Sequence, residues 1–331
     1  MSLISLKNLR ICYGAVEVVP DLSVDIEKGE FFTLLGPSGC GKTTVLRSIA
    51  GLVNVTSGQI ILDGVDITDQ PAEQRDVGIV FQNYALFPQM TVFENVAFGL
   101  KVAKVAKSTI KQKVDEMLLA TGVEEHAHKK PDSLSGGQQQ RVAIARSLVM
   151  GTRVLLFDEP LSNLDAQVRE GMRREIKKLQ RELEFTAIFV THDQDEALSM
   201  SDRLLVFNKG RMDQIGTSGD LYHNPATPFV CEFIGASNLL GPKIRNVLSL
   251  KDGADYYVRP EELHLDPNGK LKVVVSEVEF LGPTSRVEVD FQGEKLMVLA
   301  AGTRQLEQLA IGEEISLSVN EASILKFGIE Q

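Results

Sequence analysis

Cysteine is scarce in this chain. Cys12, Cys40 and Cys231 stand far apart, without the paired spacing that frames a disulfide or a zinc site. That fits a reducing compartment. No run of about 18 apolar residues occurs, so no stretch reads as a membrane-spanning helix. The amino terminus MSLISLKNLRICYG lacks the basic start and small-residue cleavage site of a signal peptide. The expectation is a chain that neither crosses a membrane nor leaves the cell. Positive charge is also in deficit: 35 Lys and Arg face 45 Asp and Glu, for a formal charge of -10. Proteins that grip phosphate backbones usually show the opposite balance, which disfavours nucleic acid as a partner. Internal repeats and low-complexity stretches are lacking too.

What is present suits a large domain followed by a small one, since 331 residues with 43% hydrophobic content can bury an ordinary core. Five short runs are almost wholly apolar and lack helical period: FFTLL (31–35), GIVF (78–81), VLLF (154–157), AIFV (187–190) and LLVF (204–207). Such runs predict strands buried on both faces, as in a parallel sheet covered by helices. Amphipathic helices are predicted between them, one through Val45, Leu46, Ile49 and Ala50. Another carries Val168, Met172, Ile176, Leu179 and Leu183 on one face. From about residue 236 the texture changes to short alternating segments with turns, which predicts β-hairpins and one small barrel. The GPK at 241–243 reads as a linker.

Residues at or just beyond four of these runs are Gly36, Gln82, Asp158 with Glu159, and His192. In an open parallel sheet the ligand sits beyond the carboxyl ends of the strands, so these residues are expected to converge. Gly36, Pro37, Ser38, Gly39, Cys40, Gly41, Lys42 and Thr43 form a G-x-x-x-x-G-K-[ST] loop between strand and helix, with Thr44 following. Its glycines let backbone N–H groups wrap phosphates, Lys42 neutralises the β and γ phosphates, and the Thr43 hydroxyl ligates magnesium. Asp158 reads as the carboxylate that holds the metal, directly or through water. Glu159 is a candidate to deprotonate an attacking water, or else a second structural acid. His192 is either structural or a hydrogen-bond donor to the γ phosphate as charge develops. A second glycine turn, SLSGGQQQR at 133–141, opens a helix with Ser135, Gly136, Gly137 and Gln138, the geometry of another anion site.

The ordered set GPSGCGKT, Gln82, LSGGQ (134–138), VLLFDEP, LSNLD (161–165) and THD resembles the nucleotide-binding subunit of ATP-binding cassette (ABC) transporters. The likeness spans about residues 3 to 235. The tail, with VRPEEL at 258–263, is similar to the OB-like (TOBE-type) accessory domain of binding-protein-dependent importers. The resemblance implies an α/β fold: a P-loop NTPase ABC domain over 1–235, with a helical subdomain at about 84–145, then a small all-β OB-like domain over 236–331. It implies an ATPase that uses ATP and Mg2+ and couples hydrolysis to solute import. Tyr13 would stack on adenine, although by itself a tyrosine before a glycine turn packs as often as it stacks. Gln82 would sense magnesium and water, Glu159 would be the general base and His192 would steady the γ phosphate. Asp165 would reach across a homodimer interface, and the Ser135 loop would close on the ATP of the other protomer. The implied partners are membrane-spanning permease subunits and, indirectly, a solute-binding protein. The implied location is peripheral, on the cytoplasmic face of the inner membrane.

Phe81, Tyr84, Phe87, Phe93 and Phe98 crowd one stretch. By itself such a cluster is core more often than interface. In the resembled family a groove here accepts a cytoplasmic helix of the permease, so some are expected in the core and others, especially Tyr84, Leu86 and Phe87, are expected to face that partner. EEHAH at 124–128 reads as surface rather than metal site. Cys40, near a helix start, is expected to be a stabilised thiolate. The competing reading, a soluble ABC ATPase acting on DNA or ribosomes, lacks the long coiled coil of DNA-maintenance members and the tandem cassette of translation factors. A P-loop kinase does not account for LSGGQ. The solute stays open among polyamine, ferric iron, sulfate or thiosulfate and phosphonate, ahead of sugar.

Overall fold

The apolar runs do form strands, and they lie side by side. The structure, a computed structural model, describes residues 2–162, 164–251, 253–301 and 309–328. Asn163 of LSNLD lies outside the described residues. The first of two compact units, Met1–Ser218, begins with β1 (Ser2–Tyr13), β2 (Val16–Val19), β3 (Val24–Glu27) and β4 (Phe31–Leu35). Next come α1 (Lys42–Ile49), β5 (Ser57–Leu62), β6 (Val65–Asp66) and β7 (Val77–Val80). Three helices, α2 (Val92–Val102), α3 (Lys107–Ala120) and α4 (Gly136–Leu148), separate β7 from β8 (Val154–Asp158). The unit closes with α5 (Ala166–Leu183), β9 (Thr186–Thr191), α6 (Gln194–Met200), β10 (Arg203–Asn208) and β11 (Arg211–Gly216).

One sheet runs β11-β10-β4-β9-β8-β7, all parallel except the antiparallel edge β11. Every residue of β4, β8 and β9 is buried, and their largely apolar sequences suit strands covered on both faces. Register sets the level of the strand ends. Leu35 lies opposite Thr191, Val190 opposite Asp158, and Phe157 opposite Val80. The carboxyl ends of β4, β9, β8 and β7 are therefore nearly level, and the residues after them share one edge of the sheet. A second, antiparallel sheet orders β2-β1-β5-β6, with β3 also pairing β1. In α5, Met172, Ile176 and Leu179 are buried as expected, but Val168 in the first turn is 42% exposed.

The second unit, Gly219–Gln331, is described by itself. Its helices are α7 (Ser218–His223), α8 (Pro228–Phe233) and α9 (Pro242–Val247). Its strands are β12 (Asn238–Leu239), β13 (Ala254–Val258), β14 (Leu263–Leu265), β15 (Leu271–Phe280), β16 (Thr284–Phe291), β17 (Glu294–Ala301), β18 (Glu314–Val319) and β19 (Leu325–Gly328). They pair antiparallel as β12-β13-β19 and as β14-β18-β15-β16-β17. Strict alternation along β16 buries Val287 and Val289 and leaves the intervening residues half-exposed.

Within this unit Arg259 joins residues 222–236 to the strands that follow. It is 5% exposed and donates to the carbonyls of Tyr222, Cys231 and Ala236 at 2.9, 2.9 and 3.0 Å. It also lies 4.3 Å from the Tyr222 ring centroid. GPK at 241–243 is not a linker. Gly241 caps α9, and the Glu294 carboxylate accepts from the N–H groups of Lys243 and Ile244 at 2.9 and 3.1 Å.

Candidate active site

After β4 the chain passes so close to β10 that a Cβ on Gly36 would lie 2.1 Å from the Phe207 carbonyl oxygen. Only glycine fits there. Gly39 and Gly41 have a different reason, backbone φ of +80° and +107°, which side chains rarely adopt. Gly41 is the N-cap of α1 and offers no capping side chain, so the first N–H groups of that helix face the loop it closes. Within the loop, Ser38 and Gly39 are exposed and Thr44 is half-buried. Lys42 is 4% exposed, and its ammonium donates to the carbonyls of Gly36 and Pro37 at 2.7 and 2.8 Å.

Cys40 corrects an expectation. It is buried, and that burial pushes its thiol up, outweighing the nearby Lys42 that pulls it down. Desolvation of the thiolate wins over the field of the helix terminus.

The expected metal pair is brought together. The Thr43 hydroxyl donates to Asp158 Oδ1 at 3.0 Å, and Arg47 donates to Oδ2 at 3.2 Å. Arg47 carries no motif signal, though it sits one turn after Thr43 on the same helix face. A hydroxyl and a carboxylate are hard oxygen donors of the kind magnesium takes alongside phosphate and water, so these residues fit that ion. Among the described residues no group of three or more His, Cys, Asp or Glu could hold a metal by itself.

Glu159 follows Asp158 directly but points elsewhere. Its φ is +47°, left-handed for a non-glycine residue, and its N–H donates to the Val190 carbonyl at 3.2 Å. The turn carries Glu159 Oε2 to 3.1 Å from His192 Nδ1. Gln82 Nε2 donates to the Ser162 hydroxyl at 2.9 Å, which in turn donates to the Glu159 carbonyl at 3.0 Å. Gln82, Glu159 and His192 are thus linked around one strand end. Ser162 belongs to LSNLD, yet nothing in that motif marks it as the bridge. Asp165 caps α5, accepting from the Val168 N–H at 3.0 Å. Tyr13 ends β1, 52% exposed, beside Gly14.

The second glycine turn is built separately. Ser135 is the N-cap of α4 and forms a reciprocal capping box with Gln138. Gly137 lies in the first turn of the helix, where an added Cβ would meet Met172 Sδ at 2.7 Å. Ser135, Gly136 and Gly137 open onto a groove of about 650 Å3, walled on the other side by Val168, Met172 and Glu175. Arg141 and Glu175 join across it as an ion pair. None of the residues lining this groove belongs to the 36–44 loop.

Tyr84 departs from expectation. It is 7% exposed and packs with Leu161 and Met172 instead of facing outward. Left-handed φ values of +60° and +47° at Tyr84 and Ala85 fold the segment inward, and Arg146 of α4 donates to both carbonyls at 2.9 and 2.7 Å. Leu86 and Phe87 are half-buried, and Arg146 lies 5.5 Å from the Phe87 centroid. In EEHAH, His126 Nε2 lies 2.8 Å from Gln138 Nε2.

A glycine loop closing on a helix start, a Thr–Asp pair of oxygen donors, an acid turned toward a histidine and a separate capped glycine turn together match an ATP-binding cassette ATPase. The chain belongs to the ATP-binding proteins of ABC transporters. The ABC transporter family matches residues 19–162 and the TOBE domain family matches 256–327. An uncharacterized ABC transporter ATP-binding protein of Sinorhizobium fredii is 50% identical over 319 residues, covering 96% of this chain and 93% of that protein. The spermidine/putrescine import ATP-binding protein PotA of Haemophilus ducreyi is 49% identical over 280 residues, covering 83% of this chain and 76% of PotA. The Fe(3+) ions import ATP-binding protein FbpC of Escherichia coli O157:H7 is 41% identical over 333 residues, covering 96% and 95%. The solved structure of cbiO1 from Clostridium perfringens, part of the ABC transporter complex cbiONQ, is 31% identical. It superposes with a TM-score of 0.62 over 66% of this chain and 90% of that one. No helix among the described residues is long and apolar enough to cross a membrane.

Proposed function

We propose that this protein is the ATPase of a solute importer, hydrolysing ATP at two composite sites of a homodimer on the cytoplasmic face of the membrane. In each site Lys42 of one protomer and Ser135 of the other grip the same nucleotide. The observation that carries this reading is the separateness of the Ser135 groove from the Lys42 loop within one chain. Two anion sites without a shared wall make sense if each completes the other in a second copy.

Lys42 exchanges the Gly36 and Pro37 carbonyls for the β and γ phosphates. Thr43 and Asp158 would hold magnesium, which supplies charge neutralisation to those phosphates. Glu159 Oε2 takes the proton of the attacking water as its oxygen bonds the γ phosphorus and the β–γ bridging oxygen leaves with ADP. His192, fixed by its bond to Glu159, donates toward the developing charge, and Gln82 positions the water. Tyr13 stacks on adenine, and Asp165 contributes from the opposing protomer.

The partners are two permease subunits and, through them, a solute-binding protein, with α2, Leu86 and Phe87 at the docking surface. The relatives named for their cargo import spermidine/putrescine or Fe(3+) ions, and we place the cargo in that range, ahead of sulfate or thiosulfate, phosphonate and sugar. Stimulation of the reconstituted transporter's ATPase by a panel of these solutes decides among them.

The geometry has its own test. Ser135→Arg and Lys42→Ala chains are each expected to be inactive in hydrolysis, the first still binding ATP. Mixed in equal amounts, random pairing gives about half heterodimers, each with one intact site, so about a quarter of the wild-type rate returns. A mixture as inactive as its parents refutes the composite site.

A further inference from the structure

We infer that His126 is a positioning residue for hydrolysis: its imidazole holds the Gln138 carboxamide in the one orientation that shapes the Ser135 loop. This rests on reading that loop as the second phosphate site. The Ser135 N–H donates to Gln138 Oε1 at 3.0 Å, and the Gln138 N–H donates to Ser135 Oγ at 3.3 Å. On its far side Gln138 Nε2 stands 2.8 Å from His126 Nε2.

The chemistry of these groups leaves one assignment. A backbone N–H only donates, so Gln138 turns its oxygen to Ser135 and its amide nitrogen to His126. That nitrogen also only donates. His126 Nε2 therefore carries no proton and accepts, and the ring proton is on Nδ1. Nδ1 is buried and meets no protein acceptor among the described residues. The tautomer is thus selected by Gln138 alone.

His126 ends the single turn Glu124–His126, while Gln138 lies in the first turn of α4. Their bond ties the loop that precedes the helix to the helix start. Without an acceptor at 126 the carboxamide is held on the Ser135 side only, and it turns over more often. Its nitrogen would then face the Ser135 N–H, donor against donor, and the capping box would open just where the γ phosphate is to be gripped.

The test uses the full-length protein with 15N-labelled histidine and the variants His126→Phe and His126→Gln. Five histidines are present, and His126→Gln assigns the relevant signals by their loss. The wild-type ring is expected to show a protonated Nδ1 and an acceptor-type Nε2. His126→Phe is expected to lower kcat about fivefold, the effect of one neutral hydrogen bond, with KM for ATP unchanged because the Lys42 loop is untouched. His126→Gln, which offers an acceptor oxygen, restores most of the rate.

An Nε2–H tautomer overturns the inference. So does a wild-type kcat in His126→Phe under conditions where Ser135→Arg abolishes hydrolysis. Normal hydrolysis by Ser135→Arg itself overturns the reading of the loop, and the His126 inference falls with it. Should His126→Phe fail to fold, the tautomer and the His126→Gln rate still decide.

Discussion

Replacing Gly36 by alanine adds one methyl group and no charge, yet it is expected to rank with loss of Lys42. The new carbon would stand 2.1 Å from the Phe207 carbonyl oxygen and 2.9 Å from Cys40 Sγ. Ordinary carbon–oxygen contacts begin at roughly 3.3 Å, so either the loop or β10 must move by about 1 Å. β10 is hydrogen-bonded on both sides, to β4 and β11, and its Leu204, Leu205, Val206 and Phe207 are fully buried. The loop is the softer partner, and it will yield. A displacement of about 1 Å at a phosphate-positioning loop costs roughly a hundredfold in kcat/KM, or about 2.7 kcal/mol of transition-state stabilisation. Overpacking of this kind also costs about 1–3 kcal/mol of stability, which lowers the melting temperature of the nucleotide-binding unit by roughly 5 °C. Steady-state ATPase assays, titration with a fluorescent ATP analogue and thermal melts measure all three. Gly39→Ala is the control, since nothing lies within 4 Å of a Cβ there and only its φ of +80° is strained. It is expected to lose about 1 kcal/mol of stability, with a much smaller kinetic effect. Near-normal ATP affinity, kcat/KM and melting in Gly36→Ala would refute the claim that the Phe207 carbonyl confines this loop.

Glu159→Gln is expected to bind ATP normally, lose nearly all turnover and accumulate as a nucleotide-bound dimer in size-exclusion chromatography; near-normal hydrolysis removes Glu159 from the role of base. At neutral pH a thiol reagent should label the half-exposed Cys12 before Cys40, whose burial leaves it less thiolate than a free cysteine, and Cys40 labelling should accelerate as pH rises past 9. Faster labelling of Cys40, read by peptide mass spectrometry, contradicts its burial. Burial and a hydrogen bond to Glu261 push Tyr222 from 10 up to about 12. The unfolded chain releases that proton first, so the C-terminal unit keeps this stability below pH 10 and loses it as pH climbs toward 12. Alkaline melts of Tyr222→Phe should fall less steeply over that window, and an unchanged slope sinks the assignment.

Much of this was legible in the residues. β4, β8 and β9 announce themselves because strands buried on both faces are dominated by apolar residues, and the phosphate loop because its glycines have few other uses. Convergence of Gly36, Gln82, Asp158, Glu159 and His192 followed from strand ends alone. What stayed hidden depended on backbone signs and on distant partners. Left-handed φ at Tyr84 and Ala85 turned an expected docking side chain inward, and no composition rule foretells that. Arg146, Ser162 and Arg259 satisfy carbonyls or bridges that exist only once the chain is folded. Gly241 reads as a linker because Gly-Pro opens helices as readily as it joins domains, and the deciding carboxylate, Glu294, lies far along the sequence.

The left-handed turn at Glu159 sets the proposed base and backbone ease against each other at a single position. A glycine there would relax the backbone by about 1 kcal/mol and leave the fold, the Lys42 loop and the Thr43–Asp158 pair as they are. Selection for folding alone would thus drift away from the acid. With Glu159 as the base proposed above, catalytic competence would be maintained against the grain of the chain, and loss of hydrolysis with nucleotide binding intact would be an easy evolutionary step for a duplicate of this protein.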